Sequence, residues 1–130
     1  MALAYAVTLR NSMLDAITTA AGGSALLRIY DGARPATGGA ATTKLAELVC
    51  NATFAPASAS GVLTLNAIAQ DISADATGTA SWFRIVTAAA AFVLDGSVAA
   101  SGSDLNLTTV SIVITQPVSV TSFVVTEANP

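Results

Sequence analysis

Histidine is absent from this chain, and Cys50 is its only cysteine. Without imidazole, Ser-His-Asp and Cys-His nucleophilic arrangements cannot be built, and the commonest metal ligand is missing. A lone thiol cannot close an intrachain disulfide or assemble a zinc site, so Cys50 reads as a small buried apolar residue. Charge is scarce as well: 10% of residues are charged, against about a quarter in a typical soluble domain. The five basic residues are scattered between Arg10 and Arg84. They form no cluster able to neutralise nucleic-acid phosphates or to hold an anionic membrane surface. No apolar run approaches the length of a membrane-spanning helix; the longest is Ala88–Leu94. Arg10 and Asp15 interrupt the apolar N-terminal stretch and no basic segment precedes it, so a secretory signal is not expected.

The carboxylates are scattered, with no calcium-loop spacing among them. Asp71 and Asp75 share a polar loop, either as ordinary turn residues or as a pair that could face a hard cation. Gly38-Gly39 lacks the lysine and hydroxyl residue that complete a phosphate-binding loop. No catalytic residue, cofactor or metal is therefore expected, and the chain does not read as an enzyme.

What is present is mostly Ala, Thr, Ser, Val and Leu in short alternating runs. Residues 1–7 read as an N-terminal arm or edge strand. Thr8–Ala21 reads as a helix capped by Thr8, with Leu9, Met13 and Ile17 forming a narrow apolar stripe and Gly22-Gly23 stopping it. From there to residue 127 the period becomes two. Strands are expected at Ala25–Asp31, Leu45–Asn51, Gly61–Ala67, Trp82–Val86, Phe92–Leu94, Asn106–Thr115 and Val118–Glu127. Gly32–Thr43 is a long breaker-rich loop, Gln70–Thr79 is polar and turn-like, and Asp95-Gly96 marks a tight turn. About eight short strands behind a single helix predict a mainly β fold: a single-domain, jelly-roll-like β-sandwich with one short N-terminal helix.

The most distinctive stretch is Gly78–Val98, which holds the only tryptophan. Alternation places Phe83 and Ile85 on one face, taken as core, and Trp82, Arg84 and Val86 on the other. Arg28 and Tyr30 repeat the aromatic–basic pairing on another strand, and adjacency of the two strands would merge all four into one patch. Trp82 either presents to a partner, in which case truncating it would leave the melting temperature nearly unchanged, or belongs to a second buried layer. Tyr5 of the arm and Arg34 of the long loop complete the candidate protein-interface residues: Tyr5, Arg28, Tyr30, Arg34, Trp82 and Arg84.

Four segments, LRNSMLDAITTAAGGSALLRIYDG, ASWFRIVTAAAAFVLDGSV, GSDLNLT and VSVTSFVVTEAN, together give the chain a texture. It resembles a family of capsid cement or decoration proteins of tailed bacteriophages. The resemblance covers nearly the whole chain and carries no invariant chemical motif. It implies a jelly-roll-like sandwich on the outside of the phage head, clamping neighbouring major capsid subunits, as a homo-oligomer (dimer or trimer). Its location would be the virion exterior, after assembly in the host cytoplasm. A phage tail or fibre-associated module is the second reading. A carbohydrate-binding sandwich that stacks a sugar on Trp82 is the third.

Overall fold

The computed structural model describes residues 3–127, and its elements follow from where the chain can and cannot stay regular. Helix α1 spans Val7–Ala21, fifteen residues without glycine or proline. It starts one residue earlier than expected. Ala6, extended at φ −58° and ψ 145°, precedes it and offers no capping side chain, so Thr8 lies inside the helix. Gly22, at φ 70°, ends it, donating its N–H to the Thr18 carbonyl at 3.1 Å. Residues 3–6 form no strand, and the first two residues of the predicted arm lie outside the described chain.

The strands are β1 (Leu26–Tyr30), β2 (Lys44–Val49), β3 (Val62–Thr64), β4 (Gly78–Thr79), β5 (Trp82–Val86), β6 (Phe92–Ala99), β7 (Leu105–Asn106), β8 (Ser111–Ile112) and β9 (Val124–Thr126). They form a five-stranded sheet in the order β2-β1-β5-β6-β7 and two ribbons, β3-β9 and β4-β8. All pairings are antiparallel except β6 with β7. The protein is thus mainly β with one N-terminal helix. No helix among the described residues is long and apolar enough to cross a membrane.

The core gathers the inner face of the large sheet (Leu27, Ile29, Phe83, Ile85), α1 through Leu14 and Ala21, and the β3-β9 ribbon through Leu63. Phe83 meets Phe123 edge-on, with ring centroids 5.1 Å apart. The free edge of β2 is covered by the polar 69–75 segment. Asp71 Oδ2 accepts the Glu47 N–H, the Leu45 carbonyl accepts the Asp75 N–H, and the Val49 carbonyl accepts the Ala69 N–H.

Of the predicted stripe only Ile17 packs against the core. Leu14 and Ala21 are buried, while Leu9 is 48% and Met13 40% exposed. Polar anchors set this rotation. Arg10 Nη1 donates to the Glu127 carbonyl at 3.1 Å, and Asn11 Oδ1 accepts the Gly61 N–H at 2.9 Å. Asp15 Oδ1 accepts the Ser58 N–H at 2.8 Å, which holds its carboxyl below the usual carboxylate value.

The late strands are shorter than their alternation suggests. The run expected over Asn106–Thr115 pairs as strand only at Asn106, the end of β7, and at Ser111–Ile112, and it stops there because the chain turns at Val113–Gln116 with Thr115 at φ 72°. Ile112 is buried, whereas Ile114, expected on the same face, is exposed. Asp95-Gly96 is not a turn either, since both residues lie inside β6 with Gly96 opposite Phe83. A Cβ at Gly96 would sit 2.4 Å from the Phe83 ring, so the glycine serves close packing. Gly96→Ala is expected to destabilise the fold by about 1–3 kcal/mol through overpacking. Denaturant titration of the full chain checks this, and an unchanged midpoint would show that Phe83 has room to move.

Candidate functional site

Strands β1 and β5 are neighbours, and their register sets Arg28 opposite Arg84 and Tyr30 opposite Trp82. The four residues predicted to merge into one patch do lie together. The aromatic rings stack with centroids 4.3 Å apart and planes 15° from parallel. Arg84 sets its guanidinium carbon 5.2 Å from the Trp82 centroid and 5.2 Å from that of Phe92.

The patch is not open. Trp82 is 0% exposed and Tyr30 is buried, so neither presents to a partner. The cover is the long loop 32–43, which folds back over this face of the sheet. The Trp82 indole N–H donates to the Asp31 carbonyl and to Thr42 Oγ1, each at 3.0 Å. Thr42 Oγ1 in turn donates to the Asp31 carbonyl, and the Asp31 N–H donates to the Thr43 carbonyl at 3.2 Å. Arg84 Nη2 donates to the Gly39 carbonyl at 2.9 Å, and Asp95 Oδ2 accepts the Gly38 N–H at 3.2 Å. An aromatic pair this large gains more from burial than from solvent, and a breaker-rich segment is flexible enough to supply the cover.

Each cation of the patch has its own carboxylate. Arg84 Nε and Asp95 Oδ1 stand 2.6 Å apart with the Asp95 side chain only 6% exposed. Burial pushes the Asp95 carboxyl up, but the hydrogen bonds from Arg84 and the Gly38 N–H, with the charges of Arg84 and Arg34, hold it below the usual carboxylate value. Hydrogen bonding to Asp95 raises the Arg84 guanidinium above its already high value. Arg28 pairs with Glu47 at 2.8 Å, and Lys44 bridges Glu47 at 3.3 Å and Asp75 at 3.4 Å. Asp71 accepts the N–H groups of Glu47 and Ser73 at 2.9 and 3.0 Å, so the two loop aspartates serve the protein's own donors. Among the described residues no group of three or more His, Cys, Asp or Glu could hold a metal ion.

Arg34 is exposed on the covering loop, beside Asp95. Tyr5 is half-buried just ahead of α1. Cys50 is buried, and burial pushes its thiol up to about 11, so it stays protonated and unreactive near neutrality.

The most exposed large apolar side chain lies elsewhere. Ile72 is 80% exposed, and Val113 and Ile114 are about half exposed. Their two loops are knit together. The Ala74 carbonyl accepts the Thr115 N–H, the Gln116 carbonyl accepts the Ala74 N–H, and Thr77 Oγ1 accepts the Ile114 N–H at 2.9 Å. Beside them opens a hollow of about 420 Å³, lined in part by Leu107, Ile112, Val113, Pro117 and Val118. The sequence carried one signal of this tip: Ile72 stands alone among turn residues, where nothing on its own segment could bury it. No protein-family model, curated protein or solved structure matches this chain.

Two outcomes are expected. Trp82→Ala should lower stability by about 3–5 kcal/mol, as truncation of a buried aromatic does; a melting temperature near wild type would mean that the face is open in solution. Asp95→Ala should cost about 3–5 kcal/mol at neutral pH, because it strands a buried guanidinium. The wild-type pair's contribution is present above the unfolded carboxylate pKa of about 4 and is lost as pH falls through the lower folded value. The gap between wild type and Asp95→Ala should therefore narrow below about pH 4 in pH-dependent denaturation. A gap constant down to pH 2 would mean that the pair contributes no linked stability.

Proposed function

We propose that this chain is a structural protein of a tailed-bacteriophage head, bound to the outside of the shell and stabilising it by clamping neighbouring major capsid subunits. The observation that carries this reading is the apolar tip formed by Ile72, Val113 and Ile114, large aliphatic side chains on two hydrogen-bonded loops. Near it Lys44 and Arg28 balance Glu47 and Asp75, while Asp71 beside Ile72 adds a negative charge. The tip therefore suits an apolar depression on the shell. The resemblance in sequence texture supports the same role.

The mechanism is binding linkage. A protein that binds only the mature shell stabilises it by RT ln(1 + [L]/Kd), about 1.4 kcal/mol per tenfold excess over Kd. Many such sites then resist the pressure of packed DNA in parallel. The carbohydrate-binding alternative loses its stacking platform, because Trp82 lies beneath the 32–43 loop.

The first test is the copy number of this chain relative to the major capsid protein in purified virions, expected near one to one. A handful of copies would favour the tail or fibre reading, and absence from virions would overturn both. The second test is co-sedimentation with purified shells. Each aliphatic side chain removed from water contributes about 1.5–3 kcal/mol, so Ile72→Asp with Ile114→Asp should weaken binding at least about tenfold. The melting temperature should stay near wild type, and undiminished binding would remove the tip from the interface.

A further inference from the structure

Four of the five basic side chains are committed within the molecule. Arg10 donates to the Glu127 carbonyl, Arg28 pairs with Glu47, Lys44 with Glu47 and Asp75, and Arg84 with Asp95. Arg34 is the remaining one. It is exposed on the 32–43 loop and makes no hydrogen bond or ion pair with any described residue. Its charge acts on Asp95, but both oxygens of that carboxylate are taken. Oδ1 accepts from Arg84 Nε at 2.6 Å, and Oδ2 from Arg84 Nη2 at 3.0 Å and the Gly38 N–H at 3.2 Å. Arg84 and Asp95 cancel, so Arg34 leaves a local positive charge on a chain whose net charge is −3.

This cation borders a hollow of about 440 Å³ between the loop and the start of β6, lined also by Pro35, Thr37, Phe92, Leu94 and Asp95. Phe92 is 42% exposed. Its ring is steadied by the Arg84 guanidinium, 5.2 Å from the centroid, and by Gly38, where a Cβ would come within 3.5 Å of it. Thr37 makes no hydrogen bond to a described residue, so its hydroxyl and N–H are open to a ligand. The loop is already fixed. Gly38 and Gly39 are tied to Asp95 and Arg84, and the Gly39 N–H closes a turn on the Ala36 carbonyl at 2.7 Å. A surface ordered in advance loses little conformational entropy on binding.

We infer that this hollow binds a segment of a partner protein carrying an Asp or Glu beside an aromatic or large aliphatic side chain. The carboxylate pairs with Arg34, whose planar fork suits two parallel hydrogen bonds. The neighbouring apolar side chain covers Phe92, and a backbone carbonyl of the segment accepts from Thr37. Charge complementarity selects this occupant. A basic segment is repelled, and a purely apolar one strips water from the guanidinium without replacing its hydrogen bonds. The inference does not rest on the shell reading. The 69–75 segment of the apolar tip runs along β2 and this hollow borders β6, with β1 and β5 between them. Either surface can fail without the other.

Amide chemical shifts of the isotope-labelled full chain test it, with acetyl-Phe-Glu-amide as the probe and acetyl-Phe-Gln-amide as its uncharged twin. The acidic probe should shift the amides of Arg34, Thr37 and Phe92 with a Kd in the millimolar range, and its twin should bind at least about fivefold more weakly. Added salt should narrow that gap. Arg34→Gln changes an exposed position and should bind the two probes equally. Phe92→Ala should weaken both, with the remaining amide pattern reporting an intact fold. The proposal is overturned if these amides stay still at tens of millimolar probe, or if wild type binds both probes equally. It is also overturned if the preference for glutamate survives Arg34→Gln, or if binding is undiminished in Phe92→Ala. Phenylacetate bound as tightly as the acidic peptide would assign the hollow to small free acids and overturn the protein partner.

Discussion

The buried ion pair between Arg84 and Asp95 is the contact on which the second face of the large sheet depends. It joins β5 to β6, and its remaining hydrogen-bonding capacity is spent on the backbone of the covering loop, through the Gly39 carbonyl and the Gly38 N–H. Apart from Arg34, that loop is built of glycine, alanine, threonine and proline and has few side chains able to hold it down. Fixed donors and acceptors on the sheet do so instead, together with the indole N–H of Trp82. Once the loop lies down, Tyr30 and Trp82 are removed from water as one stacked unit, and the sheet is buried on both faces at that end. A chain with few aromatic residues thereby puts its largest ones to structural use.

A comparable exchange of polar for apolar contacts governs the helix. A helix laid on a sheet is ordinarily oriented by its apolar ridge. Here Arg10, Asn11 and Asp15 reach the ends of β9 and the 58–61 turn, and these bonds turn Leu14 inward and leave Leu9 and Met13 outside. Hydrogen bonds are directional where hydrophobic contacts are not, so a few of them set the rotation of a weakly amphipathic helix.

Both arrangements bear on how so charge-poor a protein meets its surroundings. Its one buried ion pair, Arg84 with Asp95, is an internal fastening, and its exposed apolar side chains include Ile72, Val113 and Ile114 of the tip. Exposed apolar groups of this kind suit contact with other proteins better than free solution.

Much of the fold was legible in the residues. The helix, its glycine stop, the central hairpin and the inward face of Phe83 and Ile85 all follow from periodicity and breakers. Periodicity is a local consequence of backbone geometry, so it survives without knowledge of the fold. It failed where a decision rested on a distant segment. Alternation put Trp82 and Arg84 on one face but could not say that residues 32–43 would cover it. It drew one long strand from Asn106 to Thr115 where only Asn106, Ser111 and Ile112 find strand partners, and it read Gly96 as a turn because Phe83, its reason, lies thirteen positions away. The sequence by itself determined which side chains share a face. The tertiary structure decided which faces are closed and which remain open, because burial depends on what the rest of the chain lays over a surface.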